Sequence, residues 1–178
     1  MPGTNQIMIS TLSAKEAAGC VHELGGLLHA CVHDGASIGF VLPFSVVDAE
    51  TYWIGKVLPR LQSGTLVLLV ARQYGRIAGS AQLDCDTPPN QPHRAEVRKL
   101  LVHPDFRRRG IAKSLMAMLE SNASQLGRKL LTLDTRTGDA AEPLYASLGY
   151  QIAGVIPDYC RDVFKDRLDP TTVMYKAL

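Results

Sequence analysis

A strand that runs into a basic, glycine-bearing loop and then a helix is the feature that most constrains this chain. Val97 to Val102 reads as an apolar strand, followed by His103-Pro104-Asp105. Arg107-Arg108-Arg109-Gly110-Ile111-Ala112 comes next, and Lys113 to Leu126 keeps the apolar spacing of an amphipathic helix. The first amides of a helix have no intrahelical partner, and the helix dipole adds partial positive charge there. Gly110 lets the backbone approach a ligand, and the arginines add forked donors suited to phosphate. The segment therefore predicts a pyrophosphate cradle; taken alone, the hexapeptide also reads as a solvated basic turn capping a helix. It is not a P-loop, because no Gly-Lys-Ser/Thr follows. Nor is it the dinucleotide fingerprint, which needs three spaced glycines after the strand.

Downstream stands Ala141-Glu142-Pro143-Leu144-Tyr145-Ala146-Ser147-Leu148-Gly149-Tyr150. The two segments, in this order, resemble the GCN5-related N-acetyltransferases. The first is similar to that family's Arg/Gln-x-x-Gly-x-Gly/Ala signature, the second to its Ala-x-x-Leu-Tyr-x-x-x-Gly-Phe/Tyr segment. A closer resemblance, to the tabtoxin-resistance branch, is carried by shorter segments: His33 to Phe40, Arg94 to Val97, Leu133-Asp134-Thr135, Ile156 to Cys160, and Asp166 to Thr171. That branch acetylates the amino group of a small β-lactam amino-acid toxin.

The wider chain is compatible with one such domain over residues 1–178. Its formal net charge is +2, with 19 Lys and Arg against 17 Asp and Glu, so the basic cluster is local and no nucleic-acid partner is expected. The start lacks a charged leader and a long apolar run, so we expect neither a membrane anchor nor export, and a cytoplasmic protein. Cys20, Cys31, Cys85 and Cys160 form no paired spacing and read as reduced thiols. His22, His29, His33, His93 and His103 form no metal set; His103, beside the loop, is a minor base candidate.

Strands are expected at residues 6–12, 65–71, 77–84, 95–102, 129–134, 150–155 and 172–177. Ser13 with Glu16 is a capping box opening a first helix, weakened in the middle by Gly25-Gly26. A glycine-rich loop spans 33–43. Ser45 opens a second helix running to about Leu61, and later helices cover 109–126 and 139–148. The strand–helix–strand order at 95–134 implies a parallel pair with a right-handed crossover. The class is α/β (α+β): a central mixed, mostly antiparallel sheet flanked by helices. The resemblance implies that the parallel pair is splayed.

Acetyl transfer from a thioester to an amine must hold the cosubstrate, deprotonate the amine, stabilise an oxyanion and protonate a thiolate. The resemblance implies acetyl-coenzyme A held by Arg107, Arg108, Arg109, Gly110, Ile111, Ala112 and Lys113, with no metal. It implies that backbone groups near Leu101 and Val102 pair with the pantetheine, one amide serving as oxyanion donor. It also implies Tyr145 as the acid near the sulfur; otherwise Tyr145 is a half-buried helix aromatic. Glu96 opens the strand leading to the loop and offers a carboxylate for the ammonium, or else pairs with Arg94 or Arg98. Asp134 ends the next parallel strand at a crevice, where it is a functional candidate or an Asx-turn residue. Many family members carry Asn where this chain has Gly138.

Three functions follow. The first is acetyl transfer to a small amine-bearing molecule, such as an amino-acid-like toxin or antibiotic, with the 33–44 loop and residues 156–170 setting specificity. The second is transfer to a protein or peptide, which needs an open groove unless Tyr159 and Phe164 close it. The third is a non-catalytic acyl-coenzyme A-binding module. The expected partners are a small amine, with no nucleic acid and no membrane, and a homodimer is left open.

Overall fold

The computed structural model describes residues 6–178. Among them lie strands β1 (Met8–Leu12), β2 (Leu66–Gln73), β3 (Arg76–Asp84), β4 (Arg94–Val102), β5 (Leu130–Arg136), β6 (Gln151–Arg161) and β7 (Leu168–Ala177). They form one sheet in the order β1-β2-β3-β4-β5-β7-β6, antiparallel except between β4 and β5. Six α-helices, α1 (Ala14–Gly19), α2 (Val21–His33), α3 (Val46–Tyr52), α4 (Leu58–Gln62), α5 (Ile111–Gln125) and α6 (Ala141–Ser147), cover its two faces.

β2 and β3 are buried almost throughout because both faces of the sheet are covered, β2 as a mostly apolar run and β3 with Ser80, Gln82 and Asp84 among its buried residues. On one face Leu69, Leu83, Ala95 and Val97 pack under α5, whose buried stripe is Ile111, Leu115, Met116, Leu119 and Ala123. On the other, Leu68, Val70 and Leu101 pack against Leu24, Leu28 and Trp53. The site therefore rests on a sheet pinned from both sides.

The capping box at Ser13 and Glu16 forms as expected. The first helix, however, breaks at Cys20 between α1 and α2, not at Gly25-Gly26. Gly25 is a close-approach residue: a Cβ there would stand 2.8 Å from Glu50 Cγ of α3. The second helix carries a π-helical turn, Trp53–Val57, between α3 and α4. Pro59 has no N–H to return to the preceding turn, and Leu58 N–H reaches back to the Trp53 carbonyl instead. Trp53 Nε1–H donates to Leu24 O (2.9 Å), fixing that turn on α2.

β6 and β7 are longer than the sequence predicts. Residues 156–161 and 168–171 are mostly paired in a hairpin rather than free as a loop. Pairing is interrupted between Ile156 and Cys160, where Asp158 has φ 50°. Among the described residues no helix is long and apolar enough to cross a membrane.

Candidate active site

β4 and β5 keep parallel register only from Arg94 to Glu96 and from Leu130 to Thr132. Beyond Glu96 they part. On its other edge β4 is bulged: Ser80 pairs with Leu101 and Gln82 with Arg98, so one β3 residue faces both Lys99 and Leu100. A bulge bends its strand and re-aims its side chains, and here it holds Lys99 at φ 49°. From Val97 onward the β5-facing edge of β4 has no strand partner, so its backbone polar groups border the opening.

A cleft of about 740 Å³ runs along this edge. Leu100, Leu101 and Val102 line its floor, and the basic loop and α5 N-terminus form one end. Arg136, Asp139, Ala140, Ala141 and Leu144 line one wall, and Cys31 with residues 34–36 another. Cys31 Sγ contacts the Val102 carbonyl (3.5 Å); burial pushes its thiol up to about 12, so it is a packing group rather than a nucleophile.

α5 starts at Ile111 because Gly110 takes the left-handed conformation (φ 82°) that ends the loop. No side chain caps it, and the first helical bond is Ser114 N–H to Gly110 O (3.0 Å). The amides of Ile111, Ala112 and Lys113 thus lie ahead of the helical bonding pattern. They stand beside Arg108, whose own backbone is left-handed (φ 63°). This is an anion cradle of backbone donors, and it fits a pyrophosphate.

The three arginines differ. Arg107 and Arg108 line the cleft. Arg107 is tied to Asp34 at the end of α2 (2.5 Å) and lies 3.4 Å from the Val102 carbonyl, bracing two walls together. Arg109 turns away: its guanidinium donates to Asp105 O (3.1 Å) and Gln73 Oε1 (3.4 Å), and lies over the Phe106 ring. Only its backbone stays with the cradle. His103 is a turn residue, its Nδ1 accepting the Asp105 amide at 3.2 Å.

Glu96 and Asp134 fall on one face of the sheet, opposite α5. Glu96 is level with Thr132, so Asp134 lies two residues further along β5, a Cα separation of about 8 Å or more. Register thus brings the two carboxylates onto one face, Glu96 near the start of β4 and Asp134 inside β5, which runs on to Arg136 rather than ending at Asp134 as the sequence predicts. Glu96 is 3.9 Å from Arg98, which is tied to the buried Asp84 (3.0 Å). Asp134 is exposed at the parting of the strands, and Thr171 Oγ1 donates to it at 3.0 Å.

Tyr145 is only 6% exposed and packs in the core in an edge-to-face pair with Tyr150, next in sequence to the cleft-lining Leu144. Burial first, and the Asp134 charge second, push its phenol well above the ordinary range, so it remains a neutral O–H. Gly138 (φ 78°) donates its N–H to Glu142 (2.9 Å), and Glu142 also accepts from Thr172. A left-handed turn thus stands where the family pattern has Asn.

Arg136, which sequence reasoning passed over, and Phe164, which it named with Tyr159 as a closure of the groove, complete the site. Arg136, two residues after Asp134 on the same strand face, reaches Gly35 O (3.3 Å) and Asp139 (3.3 Å), with Asp162 (3.6 Å) and Asp169 (3.7 Å) close by. Phe164, in the β6–β7 turn, packs where a Cβ on Gly35 would be, 2.8 Å away. That turn and the loop after α2 therefore meet across one end of the cleft. The period-two spacing from Asp134 was the available signal for Arg136.

Residues 64–152 match the family model described as an acetyltransferase (GNAT) domain. The chain belongs to the GNAT acetyltransferase family. An N-acetyltransferase from the hisH–hisA intergenic region of Azospirillum brasilense, itself uncharacterized, is 34% identical over 128 residues, covering 70% of this chain and 73% of that relative. Two solved structures share the GNAT fold. An acetyltransferase named yncA from Salmonella typhimurium, solved with its cofactor acetyl-CoA, has TM-score 0.75 and 19% identity, over 97% of this chain and 94% of that one. The ribosomal-protein-alanine N-acetyltransferase from Brucella melitensis has TM-score 0.76 and 20% identity, over 96% and 99%.

Proposed function

We propose that this GNAT acetyltransferase moves the acetyl group of acetyl-coenzyme A directly to the amine of a small molecule of the amino-acid-like kind. The observation that carries the reading is the parting of β4 and β5 beyond Glu96, where a cleft follows the open β4 edge to an anion cradle. Arg108 and the amides of Ile111, Ala112 and Lys113 hold the pyrophosphate. The unpaired edge of β4 near Leu101 and Val102 holds the pantetheine and supplies an N–H to the acetyl oxygen. The cosubstrate supplies the thioester acetyl group.

Asp134 and Glu96 bind the acceptor ammonium and draw off its proton, directly or through water. Tyr145 keeps its proton at working pH and offers its O–H toward the sulfur. Phe164 packs on Gly35, a residue of the cleft wall, and a site closed on that side would favour a small acceptor over a peptide lying in an open groove. The protein-directed activity named for the Brucella melitensis enzyme is the reading this one must displace.

A panel of small amines and of peptides, assayed for thiol release with acetyl-coenzyme A, tests it. Transfer to one or more small amines is expected. Labelling of peptides alone overturns it.

The arginines give a second test. Arg108→Ala is expected to weaken acetyl-coenzyme A binding by roughly 10- to 100-fold, the loss of a charge-assisted hydrogen bond. Arg109→Ala is expected to lower the melting temperature while leaving that affinity nearly unchanged. Calorimetric titration separates the two, and equal losses of affinity would mean that Arg109 also holds phosphate.

A further inference from the structure

Lys99 carries a charge that the fold leaves unanswered. The β4 bulge sets its backbone left-handed and re-aims its side chain toward the glycine-rich loop and α3. There Nζ lies 5.7 Å from the centre of the Phe40 ring and 5.9 Å from that of Tyr52, and 3.6 Å from where a Cβ on Gly39 would be. It makes no hydrogen bond or ion pair with any described residue. Its neighbour Arg98, by contrast, is tied to Asp84.

Holding an ammonium out of water without a partner is costly, and the rings offset only part of that cost. Burial pushes the amine down to about 8, with Arg98 acting in the same direction and Asp134 and Glu96 against it. A half-buried cation without an ion-pair partner, at a left-handed backbone position next to the cleft-lining Leu100, is a site prepared for an anion.

The geometry points to Lys99 as the binding site for a carboxylate carried by the acceptor itself. This rests on the small-amine reading above. With the ammonium at Asp134 and Glu96 and the carboxylate at Lys99, the acceptor is a zwitterion of amino-acid type, complementary in charge to the site at both ends. Phe40, Tyr52 and Gly39 then form the pocket around its carboxylate end, which assigns the 33–44 loop a definite part in specificity.

Matched pairs of amino acids and their carboxamides, assayed with acetyl-coenzyme A by thiol release, test the inference. The wild-type enzyme is expected to prefer the acid over the amide by roughly 10- to 100-fold in kcat/KM, mostly through KM. Lys99→Gln should abolish that preference while leaving turnover of the amide and affinity for acetyl-coenzyme A unchanged. Lys99→Arg should retain it. If the wild type acetylates acid and amide equally, or Lys99→Gln keeps the preference, Lys99 does not bind the acceptor and the small-amine reading stands. If no member of any pair is acetylated, the small-amine reading itself has failed, and this inference with it.

Discussion

Tyr145→Phe is expected to lower turnover about 100-fold or more while leaving affinity for acetyl-coenzyme A unchanged. The substitution removes one oxygen and keeps the ring that packs edge-to-face on Tyr150, so the fold should survive it. The phenol is suited to donating a hydrogen bond because burial and the Asp134 charge both disfavour its ionised form. Its depth in the core is what makes the experiment discriminating. A ring serving only as packing would give wild-type turnover as Phe, and that result would remove Tyr145 from the chemistry. Steady-state thiol release, with the cosubstrate titrated separately, reads both quantities.

Gly79→Ala is expected to destabilise the protein by about 1–3 kcal/mol, lowering the melting temperature by about 3–10 °C, and to weaken the cosubstrate site at the same time. A Cβ at this position would stand 2.7 Å from the Leu101 carbonyl, 3.0 Å from Ile111 Cγ2 and 3.2 Å from Leu115 Cδ1. The first of these is β4 backbone where that strand pairs with β3, and the other two belong to the start of α5. Neither can yield without moving the cleft floor or the anion cradle. Thermal melts with and without acetyl-coenzyme A measure both effects. An unshifted melting temperature would mean that β3 and β4 relax apart freely, and that the edge is less fixed than the site requires.

Much of this architecture was legible because it is local. The strand, basic loop and helix around Gly110 follow from residues next to each other in sequence, and so does the Ser13–Glu16 cap. Apolar content located β2, and the turn at Tyr74-Gly75-Arg76 located β3 as its hairpin partner. The β6–β7 hairpin was only half legible. β6 is an exposed edge strand with no buried face to impose alternation, and it is interrupted where Asp158 turns left-handed.

Within the site, residue type did not reveal direction. Three consecutive arginines look alike in sequence, yet Arg107 braces Asp34 and Arg109 lies over Phe106. Whether Glu96 and Asp134 share a face depended on the β4–β5 register, a long-range property that neither segment encodes alone. Lys99 was hidden for a similar reason: in an unbroken strand it would simply alternate, and the bulge that re-aims it has no compositional mark.

The most direct test is calorimetric titration of the wild-type protein with acetyl-coenzyme A. The account predicts a single saturable site per chain, weakened by Arg108→Ala and spared by Tyr145→Phe. Absence of binding to the wild-type protein would contradict it, because the cradle at Gly110 and the unpaired edge of β4 would then have no cosubstrate to hold.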